Sequence, residues 1–377
     1  MTESFESLEA AMRWAVNLAA RGVGRVEPNP AVGAVVVDDQ LRVLGEGWHT
    51  AFGEAHAEVE ALQAAGELAR GATLVVTLEP CRHHGQTPPC TDAVLSSGVR
   101  RVVIGIEDPS PHADGTGLSL LREAGLEIEV GVEAELVRRL NSPFLHLLET
   151  GRPWVHAKWA MTLDGRIAAA GGHSQWISSE ESREMVHELR GRVDAVVVGI
   201  GTAEADDPLL TARPPGPRKA TRVILDTNAR LNLDSQLVRT AHDTPVMVVC
   251  SETVDEVRAG ALSDAGVDIV KLPLTESGRI DFHPLLDELG IRRWTNVLVE
   301  GGSEVLGTLA DGGWIDEAHV FLAPKLVGGR MALGAVGGEG LPRIPETASL
   351  ECVETRAVGP DLYWRGVRPR VVERPDS

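Results

Sequence analysis

Thr73-Leu74-Val75-Val76-Thr77-Leu78-Glu79-Pro80-Cys81 decides how this chain is to be read. The first six residues form a β-branched, apolar strand that runs straight into Glu79-Pro80-Cys81. A cysteine delivered by a strand end stands where a helix or loop begins, and unpaired backbone N–H groups there favour its thiolate. Upstream, His56-Ala57-Glu58 opens a helical segment rich in Ala, Glu and Leu that stops at Gly66; downstream comes a second Pro-Cys pair, Pro89-Cys90. One His and two Cys make a zinc site that keeps a fourth position open for water, as catalytic sites do. Glu58 need not be a ligand and is placed to move protons between that water and a substrate amine. His56 and Glu58 diverge by ~200° around a helix axis. A frayed first turn would still let both reach one pocket.

Working outward, helical and strand patterns alternate through the first half. Helices are expected at Leu8–Arg21, His56–Ala65, Thr91–Ser97, Leu118–Ala124 and, as one long element, Glu133–Leu148. Strands are expected at Ala31–Val37, Arg42–Trp48, Thr73–Leu78, Arg101–Ile106 and Glu127–Val130. Such alternation implies an α/β layered fold with a mixed or largely parallel sheet. Thr150-Gly151-Arg152-Pro153 stops the last helix and restarts the chain as extended, which sets the domain boundary. The expected division is therefore 1–148 and 153–368, with 369–377 as a frayed tail. A second series of strands follows at Trp154–Ala160, Ala195–Val198, Arg222–Leu225, Val246–Val249, Asp268–Val270, Asn296–Val299 and His319–Leu322. Its helices are expected at Ser179–Arg190, Val254–Ala265, His283–Leu289 and Ser303–Ala310, and 213–219 reads as a loop.

At 377 residues, two or three domains are the prior. Apolar residues make up 43% and charged residues 24%, the proportions of a globular protein, while aromatics at 4% leave the cores to Val, Leu, Ile and Ala. No apolar run approaches the ~18–20 residues that span a bilayer. Met1 to Ala10 carries three Glu and no basic residue, the wrong charge for a secretory or transit segment, so a cytoplasmic location is expected. Net charge is −19 and is shared by both halves. Neither has the basic stripe that a nucleic-acid backbone demands, although a local pocket could hold one phosphate. Four cysteines exclude a disulfide scaffold; Cys250 and Cys352 read as small core residues.

H-x-E, or Pro-Cys, is weak evidence alone, but their conjunction in this order is specific and is that of the zinc deaminases. The eight residues between Cys81 and Cys90, where many such enzymes have two, ask for a narrower assignment. Asn29-Pro30, Val32-Gly33, His56-Ala57-Glu58, Thr77-Leu78-Glu79-Pro80-Cys81, His83-His84-Gly85, Thr87-Pro88-Pro89-Cys90 and Asp108-Pro109 together resemble the bacterial bifunctional deaminase–reductases of riboflavin biosynthesis. The resemblance implies a cytidine-deaminase-like α/β/α sandwich in which His56, Cys81 and Cys90 hold Zn2+ and Glu58 shuttles protons. It also implies that the insertion carrying His83 and His84 contacts a ribose phosphate. Asn29 could bond the pyrimidine edge, since its amide offers both a donor and an acceptor.

The second half lacks a full dinucleotide fingerprint. Two glycine turns that each follow a strand, Gly199-Ile200-Gly201-Thr202 and Glu300-Gly301-Gly302-Ser303, nevertheless suit backbone approach to phosphates. Lys158 to Arg166, Ser174-Gln175-Trp176-Ile177, Asp206-Asp207-Pro208, Leu210-Thr211 and Ala323-Pro324-Lys325-Leu326 extend the resemblance to the reductase half, whose fold is like dihydrofolate reductase. It implies that Ala160, Trp176, Thr202, Asp206, Thr227, Gly302 and Ser303 face NADPH. Ser174, Arg190, Leu210, Arg213 and Glu300 would then face the substrate, with the two arginines able to clamp a phosphate and Glu300 to bond ribose hydroxyls.

The expected activities are deamination of a diaminopyrimidinone ribosylamine 5′-phosphate, then NADPH-dependent reduction of the ribosyl group to ribityl. Small pyrimidine ribose phosphates are the expected ligands, with no nucleic acid or membrane partner and a homo-oligomer formed through the reductase half. The alternative is a zinc nucleobase or nucleic-acid deaminase with a non-catalytic accessory domain; the acidic balance and lack of interleaved aromatic and basic residues count against it.

Overall fold

The structure, a computed structural model, describes residues 4–82, 88–110, 116–347 and 349–369. The chain divides into two units, Met1–Gly151 and Arg152–Ser377.

The first unit is built on five strands, β1 (Gly33–Val37), β2 (Val43–Trp48), β3 (Thr73–Leu78), β4 (Arg101–Ile106) and β5 (Glu127–Val130), in the order β2-β1-β3-β4-β5. β1 is antiparallel to both β2 and β3, while β3, β4 and β5 run parallel. Because side chains alternate along a strand, β1 sends Ala34 and Val36 to one face and Val35 and Val37 to the other. The first face is covered by α2 (Ala57–Ala65), α3 (Cys90–Ser97) and α4 (Thr116–Glu123). The second is covered by α1 (Leu8–Ala19), α5 (Ala134–Leu140) and α6 (Ser142–Thr150), through Met12, Leu18, Val137 and Leu145. Both faces of the central strands β1 and β3 are dry, which accounts for their long apolar runs. Two strand glycines set how close α2 can come. A Cβ on Gly45 or Gly47 would collide with the backbone of Ala61 or Ala57.

The expected single helix over Glu133–Leu148 is instead two. Pro143, in the first turn of α6, has no N–H for the carbonyl one turn back, so the ladder breaks at Asn141. The freed side chain of Asn141 accepts from the Ala31 amide at 2.8 Å and donates to the Ala31 carbonyl at 3.0 Å. That buried clamp fixes the turn bearing Asn29 and Pro30.

The second unit holds nine strands: β6 (Trp154–Thr162), β7 (Ala195–Gly199), β8 (Thr221–Leu225), β9 (Val246–Ser251), β10 (Asp268–Leu272), β11 (Asn296–Val299), β12 (Glu317–Ala323), β13 (Glu351–Val358) and β14 (Asp361–Val367). Their order is β10-β9-β8-β7-β11-β6-β12-β14-β13. From β10 to β12 every neighbouring pair is parallel, and β14 and β13 add an antiparallel edge. Among the described residues, six helices accompany these strands: α7 (Glu180–Arg190), α8 (Ile200–Asp206), α9 (Gln236–Arg239), α10 (Glu256–Asp264), α11 (Phe282–Ile291) and α12 (Ser303–Asp311). Separate apolar cores lie on opposite faces of β7, one with Val196 and Val198, the other with Ala195 and Val197. The closing hairpin β13–β14 was not among the expected strands. β13 is an edge strand, mostly exposed, and reads Glu-Cys-Val-Glu-Thr-Arg, without an apolar face to betray it.

Candidate active sites

Three element ends meet in the first unit. His56 is the N-cap of α2, with extended backbone, so its side chain is not bound to the helical wheel that would separate it from Glu58. Cys81 follows β3 directly, and Cys90 is the first residue of α3. His56 Nδ1 lies 3.1 Å from Cys90 Sγ and 3.5 Å from Cys81 Sγ, and all three ligand atoms fall within 4.8 Å of one another. Bonds of 2.0–2.1 Å to nitrogen and 2.3 Å to sulfur would separate tetrahedral ligands by about 3.6 Å. The borderline and soft donors, at this spacing, therefore fit zinc. The α3 N-terminal amide of Cys90 also points at Cys81 Sγ, at 3.4 Å. Hydrogen bonding from Cys90, then from His56, outweighs burial and draws the Cys81 thiol down to about 4, while the shared contact and burial push the Cys90 thiol up. The Cys81 contact in turn raises the His56 pKa.

Glu58 sits in the first turn of α2, 3% exposed, and interacts with Cys81, His56 and Cys90. Burial, helped by the Cys81 charge, pushes its carboxyl up to about 7. A carboxyl poised near neutrality both takes and returns a proton. Asn29 is brought to the same place: its Nδ2 is 3.5 Å from His49 Nε2. His49 was not assigned a role by sequence reasoning, yet it is buried, and its ring lies 5.2 Å from that of His56. Its Nδ1 donates to the Ala55 carbonyl at 3.1 Å, which leaves Nε2 to accept from Asn29. Burial first, and the neighbouring His56 charge, lower the His49 pKa and keep it neutral. Strand-end position next to a helix that starts with a ligand was the available signal. His83 and His84 lie outside the described residues.

The second unit contains a cleft of about 980 Å³ over the C-terminal ends of β6, β7 and β11, within the range of ligand pockets. All twelve reductase-half residues named from sequence line it: Ala160, Ser174, Trp176, Arg190, Thr202, Asp206, Leu210, Arg213, Thr227, Glu300, Gly302 and Ser303. The two glycine turns divide their labour. A Cβ on Gly199 would press against Val305 at 2.9 Å, and one on Gly301 would strike the same side chain, so these glycines serve packing of α12. A Cβ on Gly201 would meet nothing, and one on Gly302 would find only Thr202 Oγ1 at 3.5 Å. Those two leave open space beside the N-terminus of α12, where a pyrophosphate is favoured. The site fits a dinucleotide.

At the other end of the cleft, Arg190 does not present a free fork. Its Nε donates to Glu300 Oε1 at 2.6 Å and Nη2 to Oε2 at 2.9 Å. Lys158 Nζ approaches the same carboxylate at 3.8 Å; sequence reasoning quoted this lysine but gave it no role. Burial would push the Glu300 carboxyl up, but the charges of Arg190 and Lys158 prevail and hold it below the ordinary value. Burial lowers the pKa of Lys158, against the pull of Glu300. Arg213 stands exposed at the rim. Trp176 is 64% exposed, with the Arg183 guanidinium 4.6 Å from its ring, and Lys325 Nζ holds the Trp176 and Ile177 carbonyls at 2.6 and 2.8 Å.

With this geometry in hand, comparison with known proteins is specific. The family profile described as the cytidine and deoxycytidylate deaminase zinc-binding region matches residues 5–106. That described as the RibD C-terminal domain matches residues 153–364. A riboflavin biosynthesis protein RibD of Bacillus amyloliquefaciens is 40% identical over 352 residues, covering 93% of this chain and 94% of its own. A solved RibD structure from Acinetobacter baumannii is 34% identical, with a TM-score of 0.83 over 96% of this chain and 99% of that one. A Thermotoga maritima diaminohydroxyphosphoribosylaminopyrimidine deaminase/5-amino-6-(5-phosphoribosylamino)uracil reductase is 36% identical, with a TM-score of 0.82 over the same shares.

Proposed function

The chain belongs to the RibD family of riboflavin biosynthesis, and from that membership we propose how its own residues divide two successive reactions. The first unit is a zinc-binding deaminase and the second an NADPH-dependent reductase of the RibD type. The alternative of a nucleic-acid deaminase with an inert accessory domain is not favoured, since the second half matches the reductase family over 153–364.

The deaminase substrate is read as the 2,5-diamino-6-ribosylamino-pyrimidinone 5′-phosphate. Zinc held by His56, Cys81 and Cys90 supplies Lewis acidity to water. Glu58 takes a proton from the attacking water and returns it to the exocyclic nitrogen, so that a C–O bond forms, the C–N bond breaks and ammonia leaves. Asn29, held by Asn141 through Ala31, meets the pyrimidine edge with the neutral His49 behind it. His83 and His84 remain the assignment for the ribose phosphate, from the sequence alone. The observation that carries this reading is the set of three ligand atoms within 4.8 Å of one another beside the buried Glu58 carboxyl.

In the reductase unit, bound NADPH would supply the hydride for C1′ of the ring-opened imine, whose C=N bond is reduced as the nitrogen takes a proton, giving a ribitylamine product. Gly302, Ser303, Thr202 and Asp206 form the pyrophosphate and ribose side of the cleft, with Ala160, Trp176 and Thr227 along the cofactor. Glu300 bonds substrate hydroxyls, Arg190 holds Glu300 in place, and Lys158 carries the removable proton. Ser174, Leu210 and Arg213 complete the substrate end, Arg213 as the phosphate cation.

The ligands are small pyrimidine ribose phosphates, and no described helix is long and apolar enough to cross a membrane. The charge of −19 supports exclusion of nucleic acid. Close thiols that must stay reduced to hold metal support a cytoplasmic setting. Pairing of chains through the reductase unit is supported by exposed Leu326, Met331, Leu341 and Ile344 along one segment. The test is metal analysis joined to an ammonia assay on the diaminopyrimidinone phosphate. Zinc-dependent ammonia release is expected; release that persists in the metal-free protein would sink the reading.

A further inference from the structure

At the opposite end of β6 from the cleft lies a buried polar cluster that neither reaction uses. His156 on β6 stands directly across the parallel pair from Glu317 on β12. His319 is two residues beyond Glu317 and so shares its face of the sheet. His156 Nδ1 is 3.2 Å from His319 Nε2, Glu317 Oε1 is 3.4 Å from His319 Nε2, and Glu317 Oε2 is 3.7 Å from His156 Nδ1. The three ligand atoms fall within 4.8 Å of one another, as do those of His56, Cys81 and Cys90. Side chains of His319, Glu317 and His156 are 3%, 10% and 14% exposed, which leaves His156 as the way in.

We propose that His156, Glu317 and His319 form a second zinc site, which ties β6 to β12 in the reductase unit. Two imidazoles and a carboxylate are a known zinc donor set, and zinc bonds of 2.0–2.2 Å place tetrahedral ligand atoms about 3.4 Å apart. The two imidazole nitrogens, 3.2 Å apart, lie near that value, and one Glu317 oxygen is 3.4 Å from His319 while the other is 3.7 Å from His156. Imidazole and carboxylate together select zinc or a neighbouring late divalent ion over magnesium or calcium. The surroundings orient the ligands as metal sites require. Tyr363 Oη is 2.8 Å from His319 Nδ1; with Nε2 turned to the metal, Nδ1–H donates to that oxygen and the tautomer is set. Trp154 Nε1 donates to Glu317 Oε2 at 3.3 Å and Arg365 Nη1 to Oε1 at 3.2 Å, and a carboxylate retains further lone pairs for a metal. The Arg365 charge opposes a cation, but it is itself paired with Glu354 at 3.5 Å. Ion binding to the native strands alone would raise the stability of this unit.

The test uses the full chain, stripped of metal and reloaded with zinc. About two ions per chain are expected, one for each cluster. Cys81→Ser/Cys90→Ser should keep about one, and adding His156→Gln should release it. Loaded with cobalt instead, the cysteine variant should show visible d–d bands without the near-ultraviolet thiolate charge-transfer band that the unaltered chain shows. Its melting temperature should rise on addition of zinc, and that rise should vanish with His156→Gln. A cysteine variant that melts cooperatively yet holds neither zinc nor cobalt overturns the proposal, as does a His156→Gln/His319→Gln variant that still binds two. Failure here leaves the deaminase assignment standing, because the two clusters are read by different variants and different spectra.

Discussion

Glu58 owes its chemistry to being dry. An exposed glutamate is ionised at neutral pH and holds a proton poorly; burial beside Cys81 moves Glu58 to about 7, where both protonation states are populated. Glu58→Gln keeps size and hydrogen bonding but cannot cycle a proton. Ammonia release should fall by about 10²–10⁴-fold. NADPH oxidation on already deaminated substrate should be unchanged; loss of both would contradict two independent sites. Glu300 poses the opposite electrostatic case. Arg190 and Lys158 overcome burial and hold its pKa below 4.5, so the folded state favours the ionised carboxylate. A depressed folded pKa contributes stability above the unfolded value that is lost as pH falls through the folded one. Melts of the chain should therefore show an acid loss beginning near pH 4.5 in the reductase unit. Glu300→Gln should remove that component and cost about 3 kcal/mol, because two buried cations are left unneutralised. A variant with the unaltered acid profile would refute this account. At this scale the candidate metal cluster was legible because H-x-E and two Pro-Cys pairs are rare in conjunction. His49 and Lys158 were not, since a single histidine or lysine acquires a role only from neighbours distant in sequence.

Elements carry the site by where they end. α2 can lay His56 and Glu58 over the sheet because Gly45 and Gly47 leave no side chain beneath Ala61 and Ala57. The turn at Gly199 and Gly201 offers a sharper comparison. Gly201→Ala should stabilise the exposed helical position by up to about 1 kcal/mol. Its methyl group would also enter the open space proposed for the cofactor and weaken NADPH binding about tenfold, or ~1.4 kcal/mol. Gly199→Ala should do the reverse, costing about 1–3 kcal/mol by overpacking against Val305 while leaving NADPH affinity intact. Titration calorimetry and melting on both variants check this; equal effects would mean the two glycines do not differ in function. Periodicity exposed most strands and helices because their apolar faces meet dry cores. It missed β13, whose exposed edge has no such face, and it ran α5 and α6 together, because Pro143 was outweighed by the apolar repeat on either side.

Across the molecule, each unit has its own sheet and its own cores on both faces of that sheet. Chains cut between Gly151 and Arg152 should yield two fragments that each melt cooperatively, the first releasing ammonia and the second oxidising NADPH. A fragment that fails to melt cooperatively would show that its core is incomplete. The acidic surface predicts weak retention on heparin at low salt; tight retention would revive a nucleic-acid substrate. What the amino-acid order determined alone was local chemistry: which donors are soft, where glycine permits close approach, where a helix must stop, and the net acidity of the chain. What only tertiary structure decided was encounter. His49 beside Asn29, Lys158 and Arg190 on Glu300, and His156 against Glu317 and His319 are separated by between 20 and 163 residues where a contact is measured, and chain order places no limit on which strand lies beside which. Sheet pairing sets those distances, and through them the desolvation and charge that turn ordinary side chains into reactive ones.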